Sequence, residues 1–125
     1  MRRGFDAMTR ADLPVLLELI HPDFEVEIPP EVSAEPDVYR GHDGIRRYLE
    51  SFQVSMEDIR FEPERMWEVG DRVVVDLLLT ATGKSSGIAV ELRTGQVWTV
   101  ADGRAISARI YPDAAAALEA VGLRE

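Results

Sequence analysis

The 125-residue chain has no cysteine, which removes disulfides, thiolate metal sites and cysteine nucleophiles together. Histidine is scarce: there are only His21 and His42, and neither stands at metal-ligand spacing from Glu25 or Glu27, so no metal is expected. No apolar run approaches the roughly 18 residues of a membrane span. The opening MRRGFDAM carries basic residues without an apolar stretch behind them, so a secretory signal is not expected and the cytoplasm is the default location. Positive charge is sparse. Lys and Arg number 14 against 23 Asp and Glu, a net charge of -9, and the densest internal basic pair is Arg46–Arg47. Nucleic acid, whose phosphates need clustered Lys and Arg, is a poor partner for such a surface. A Gly-rich phosphate loop, a nucleophile elbow and a catalytic triad are all missing, as are repeats and linkers. One domain spanning 1–125 fits this length, large enough to bury a core.

What is present is an order of patterns: short amphipathic helices, then an unbroken run of strands. Residues 2–9 read as a helix with Phe5 and Met8 inward. Asp12 reads as an N-cap with Pro14 in the first turn, and Leu13, Leu16, Leu17 and Ile20 form an apolar stripe. His21-Pro22 should end that helix. FEVEI at 24–28 alternates like a strand, stopped by Pro29-Pro30, and residues 29–41 read as a loop whose acidic part, Glu31–Asp37, forms a solvated rim. A helix beginning near His42–Asp43 repeats the stripe with Ile45, Tyr48, Leu49 and Phe52. Strands are expected over about 58–68, 72–82, 88–100 and 105–111, separated by turn chemistry at 68–71, 83–87 and 101–104. Asp113 caps a closing helix with Ala114, Ala117, Leu118 and Val121 inward, and Gly122-Leu123 is a Schellman stop. This order implies an α+β domain with an antiparallel sheet. Strands of ten or more residues twist and coil, so the sheet should curve around the helices into a cone whose wide end stays open as a pocket.

Three segments, LLELIHPDFEVEIPPE, VYRGHDGIRRYLESF and VWTVADGRAISARIYPDAAAALEAVGL, resemble the SnoaL-like branch of the nuclear transport factor 2-like superfamily over nearly the whole chain. The resemblance implies a cone-shaped α+β barrel, its curved, mixed sheet wrapped around N-terminal helices, with a short C-terminal helix. It also implies cofactor-free chemistry where there is any, and frequently a homodimer through the outer sheet face. Relatives usually carry a longer first helix. The family includes polyketide cyclases, ketosteroid isomerases, limonene-epoxide hydrolases, dehydratases and noncatalytic binders, so fold does not give function. The isomerase machinery needs an Asp base with a Tyr and a neutral Asp as oxyanion donors. The matching positions here are Ile28, Gly4 and the neighbourhood of Gln96, and neither an isoleucine nor a glycine side chain moves a proton. The hydrolase relay needs Asp-Arg-Asp, and the matching positions are Asp76, Val74 and Ile110. The cyclase acid/base finds no residue-for-residue match.

Period two assigns faces to the strands. Gln96 and Trp98 are expected inward with Val90, Leu92, Thr94 and Val100. Asp76 is expected to join them with Val74, Leu78 and Thr80, and the last strand should contribute Ile106, Ala108 and Ile110, leaving Ser107, Arg109 and Tyr111 outside. The expected cavity is apolar, with Ile28 and Ile110 in its wall, Tyr39 at its opening, and Asp76, Gln96, Thr80 and the Trp98 indole as polar points. Asp76 is the candidate general base, since burial among Val and Leu raises a carboxylate pKa toward neutrality. A one-residue phase error would instead turn it outward into a surface ion pair. Gln96 reads as a donor to a ligand oxygen or as a structural hydrogen bond, Trp98 as pocket wall or plain core, and Tyr48 as packing on the core stripe or, with Tyr39, as lining of the opening. His42 reads as a cap or loop contact. The leading reading is a binder of a small hydrophobic oxygenated molecule. The alternatives are a cofactor-independent cyclase, isomerase or hydrolase with Asp76 as base, and a noncatalytic dimeric interaction module. A homodimer is expected because Val73, Val75, Leu77, Leu79, Val97 and Tyr111 would leave the outer face too apolar for water.

Overall fold

Helix ends, hairpin turns and apolar faces together set the architecture. The computed structural model describes residues 2–10, 12–28 and 37–123. Helix α1 (Arg2–Thr9) buries Phe5, Ala7 and Met8, and Thr9 Oγ1 accepts from the Phe61 amide at 2.8 Å, tying the helix to the sheet. Helix α2 (Leu13–Leu19) is capped by Asp12, whose carboxylate accepts from the Val15 amide. Strand β1 (Ile20–Ile28) follows without a loop, then β2 (Asp37–Arg40) and helix α3 (Gly41–Gln53), which buries Ile45, Tyr48 and Leu49. Strands β3 (Met56–Val69), β4 (Arg72–Gly83), β5 (Ala89–Ala101) and β6 (Arg104–Tyr111) are joined by hairpins, and helix α4 (Ala114–Ala120) closes the chain. The six-stranded sheet runs β2-β1-β6-β5-β4-β3. Its neighbours are antiparallel except β1 and β6, which are parallel. The α+β class, the mixed curved sheet around the first helices and the closing helix match the expectation.

Two caps follow the residues closely. Asp102 and Gly103 both have positive φ, 52° and 76°, the pair of left-handed residues a two-residue type I′ hairpin turn requires. At the other end, Gly122 at φ 81° lets its amide reach Glu119 O and lets Leu123 N reach Leu118 O at 2.9 Å, a Schellman stop.

Some boundaries differ from the sequence reading. The second helix ends at Leu19, and His21-Pro22 lies inside β1. Ile20 pairs with Ala105 of β6 and is buried, and the extended preference of the residue before Pro22 suits a strand as well as a helix end. Residues 37–40 pair with β1 and do not belong to a loop. The first part of that loop, residues 29–36, which carries all of the acidic rim but Asp37, lies outside the described residues. Among the described residues, no helix is long and apolar enough to cross a membrane.

The sheet has two covered faces. On the concave side Val75, Leu77 and Leu79 of β4 are buried with Phe24, Ile45 and Trp98. On the convex side Val74 is buried beneath Ala117 and Leu118 of α4, with Val97 and Tyr111 beside it. This corrects the outer face expected for a dimer. Val97 and Tyr111 lie there, but Val73, Val75, Leu77 and Leu79 point into the core, and α4 shields part of what remains. Those four residues therefore give no reason for a homodimer, which rests on the family resemblance alone.

Candidate functional site

A cavity of about 240 Å³ lies between α3 and the concave face of the sheet. Its walls are apolar: Phe61, Leu77, Leu79 and Leu92 from β3, β4 and β5, Ile28 and Ile110 from β1 and β6, and Phe52 from α3. Its polar points are Tyr39, Tyr48, Ser51, Thr94 and Gln96. No charged side chain lines it among the described residues. The stripe that seats α3 on the sheet puts Tyr48 and Phe52 into the cavity wall with Tyr39 of β2, and the Tyr39 and Tyr48 rings lie 5.4 Å apart.

Gln96 is the best defined of the polar groups. It is buried, and its Oε1 accepts from the Trp98 indole Nε1–H at 2.8 Å. An indole nitrogen only donates, so this contact fixes which end of the carboxamide is oxygen. The amide NH₂ is left for the cavity. Trp98 is itself held from two sides, stacked on Phe24 (centroids 5.6 Å, interplanar angle 21°) and met edge-on by Phe5 at 5.6 Å.

Burial and the neighbouring Tyr39 push the Tyr48 phenol well above its ordinary value of 10.0, so at neutral pH it is an uncharged hydroxyl. The raised value has a stability consequence. Above pH 10 the unfolded chain gives up a proton that folded Tyr48 keeps, so stability falls as pH climbs, by up to about 1.4 kcal/mol per pH unit from this group. Below pH 10 both states hold the proton and the contribution is complete. Urea titrations between pH 9 and 11 should show a steeper alkaline decline in the wild type than in Tyr48→Phe.

The structure divides the expected site residues. Ile28, Ile110, Tyr39 and Gln96 line the cavity. Trp98 does not; it is buried in the core, lines a smaller cavity with Phe5, Met8 and Leu16, and is joined to the chamber's lining by its hydrogen bond to Gln96. Asp76, Leu78 and Thr80 are on the convex face, because β4 pairs with β5 so that Val75 faces Gln96 and Leu77 faces Thr94, while Asp76 faces Gly95 and Leu78 faces Arg93. Asp76 is thereby removed from the pocket. Its Oδ1 lies 3.8 Å from Arg93 Nη1 without a hydrogen bond, and Arg93 pairs with Glu64; this is the ion-pair alternative of the sequence reading. Leu77, Leu79, Ser51 and Phe61 were not foreseen, and Tyr48, read chiefly as packing, takes its other reading and lines the cavity. His42 Nε2 lies 2.9 Å from the carbonyl oxygen of Ile20, the residue that caps the end of α2 and opens β1, a cap contact and not a loop contact, and the His21 ring accepts from the Asp23 amide. Among the described residues, no group of three or more His, Asp or Glu side chains is placed to hold a metal ion.

No curated protein matches the sequence. Solved structures do. A nuclear transport factor 2-like protein from Burkholderia xenovorans LB400 superposes with a TM-score of 0.72 at 30% identity, covering 97% of this chain and 92% of its own. TerC, co-crystallised with polyporic acid, gives 0.75 at 25% identity over 95% and 92%. IdmH from Streptomyces antibioticus, a polyketide cyclase candidate, gives 0.74 at 21% identity over 87% and 86%, a likeness of fold. The family model for the SnoaL-like domain matches residues 1–108, so the hollow cone and its apolar chamber are those of a member of the SnoaL-like domain family, to which this chain belongs.

Proposed function

We propose that the protein binds a small, hydrophobic, oxygen-bearing molecule in the chamber between α3 and the sheet. The observation that carries this reading is the fixed carboxamide of Gln96, whose NH₂ is turned toward a space with apolar walls. A few placed polar groups in a concave apolar wall are the usual composition of a small-molecule site. Support also comes from TerC, similar over nearly its full length and co-crystallised with polyporic acid. Asp76, on the far side of the sheet, has no route to such a ligand. The described lining residues include no carboxylate or imidazole to abstract a proton, and burial keeps the Tyr48 phenol protonated, so binding is the better supported role.

The test uses Prodan, a neutral solvatochromic naphthyl ketone. Stoichiometric binding with a blue-shifted emission is expected, abolished by Leu79→Trp, which fills the chamber, and unchanged within about twofold by Asp76→Asn. Binding that survives Leu79→Trp in a folded protein, or that disappears with Asp76→Asn, would place the site elsewhere.

A further inference from the structure

We infer that the chamber selects ligands by hydrogen-bond polarity, preferring a neutral acceptor such as a ketone or quinone carbonyl over a carboxylate, and that Trp98 sets this preference from outside the chamber. The inference rests on the binding reading above and specifies its ligand class.

Each lining group has a sense. Thr94 and the two tyrosines carry hydroxyls, which rotate and either donate or accept, whereas Ser51 already donates its hydroxyl to the Tyr48 carbonyl. Gln96 is different. A free carboxamide offers both an acceptor and donors, but the Trp98 N–H takes one of the oxygen's two lone pairs at 2.8 Å and holds that end to the indole, and Phe5 and Phe24 hold the indole in place. The carboxamide cannot turn over without leaving the indole donor facing its NH₂, two buried donors with no acceptor between them. Gln96 therefore presents its donor end to the chamber. Tyr48, kept protonated by burial, adds a hydroxyl that is neutral at physiological pH. An anion entering the chamber would shed its hydration with no cation among the lining residues to meet it; Arg47, exposed and stacked on the Tyr39 ring at 5.3 Å, is not a lining residue. A neutral carbonyl loses less on leaving water and meets a fixed donor. Trp98 is thus a positioning residue, acting on the ligand through Gln96.

Three bicyclic probes of similar size separate the terms: tetralin, 1-tetralone and 1-naphthoate, with affinities read by isothermal titration calorimetry at pH 7. In the wild type, 1-tetralone should bind and 1-naphthoate should bind at least tenfold more weakly. The affinity ratio of 1-tetralone to tetralin, which cancels the burial common to both, should fall about five- to tenfold in Gln96→Leu. It should fall further in Gln96→Glu, where the indole still donates to one carboxylate oxygen and the other faces the carbonyl. Trp98→Phe should lower the ratio while leaving tetralin affinity within about twofold, a pattern that general loosening of the core would not produce. An unchanged ratio in Gln96→Leu, or 1-naphthoate binding as tightly as 1-tetralone, would overturn the polarity inference while leaving the chamber as a binding site. Failure of the wild type to bind either neutral probe would instead overturn the binding reading itself. Should Gln96→Leu not fold, the wild-type comparison of ketone with carboxylate still decides.

Discussion

Gly95→Ala is expected to destabilise the protein by about 3 kcal/mol and to loosen α4. A Cβ at this position would lie 2.1 Å from Asp113 O, 2.5 Å from Asp113 C and 2.9 Å from Ala114 Cα. All three are backbone atoms, so no rotamer change relieves the clash. Either β5 shifts or the start of α4 lifts. Overpacking of this kind costs about 1–3 kcal/mol, and a lifted α4 also exposes Leu118 and Val74, now 2% and 0% accessible, each worth about 1.5–3 kcal/mol when fully buried. The Asp113 cap on Ala116 is strained in the same movement. Urea denaturation reads the stability loss, and faster cleavage within residues 112–123 by a nonspecific protease reads the helix. The ketone affinity of the folded fraction should persist, because α4 packs on the convex face and the chamber opens on the concave one. A variant as stable as the wild type would mean that the contact between β5 and α4 is not formed as described.

Phe24→Ala is expected to cost about 3–5 kcal/mol, the range for removing a large aromatic from a core. Phe24 is wholly buried and stacks on Trp98, so the mutation leaves a cavity under the indole as well as forfeiting the ring's own burial. It also reaches the site. With Trp98 free to rock, its N–H no longer pins the Gln96 oxygen, and the selectivity for 1-tetralone over tetralin should shrink as it does in Trp98→Phe. Chemical denaturation gives the first effect and calorimetry on the folded variant gives the second. If the stability loss appears without any change in selectivity, Phe24 supports the core alone.

Much of this architecture is legible in the residues. The four-point stripe of α3, the Asp12 and Asp113 caps, the Asp102-Gly103 turn and the Gly122 stop all act locally, so their physics is contained in a few neighbouring side chains. The β5 face is legible too, because LRTGQVWTV alternates between a chamber side and a polar side. Strand β4 is the instructive failure. VVVDLLL is apolar on both faces, since the core covers one and α4 covers part of the other, so alternation carries no phase information. Phase must then come from the hairpin. A connection of five residues, 83–87, would pair Thr82 with Ile88 and set Asp76 opposite Thr94, on the chamber side. Thr82 in fact pairs with Ala89. One more residue in the connection moves every side chain of the strand to the other face, which is how Asp76 leaves the site while Leu77 and Leu79 enter it. Tyr48 was ambiguous for another reason: a stripe position packs against a neighbour or against a void, and only the three-dimensional arrangement distinguishes them.

The parallel pairing of β1 with β6 has a consequence for how the chain matures. Residues 20–27 register against residues 105–109, so β1 reaches its partner only after α3 and β2 to β5 have all been made. Until then the apolar underside of the first three helices has no finished wall to rest on. Contacts this distant in sequence slow folding and lengthen the exposure of unsatisfied strand edges. During synthesis, the stretch through α3 is expected to stay open to chaperones until the β5–β6 hairpin has emerged to pair with β1.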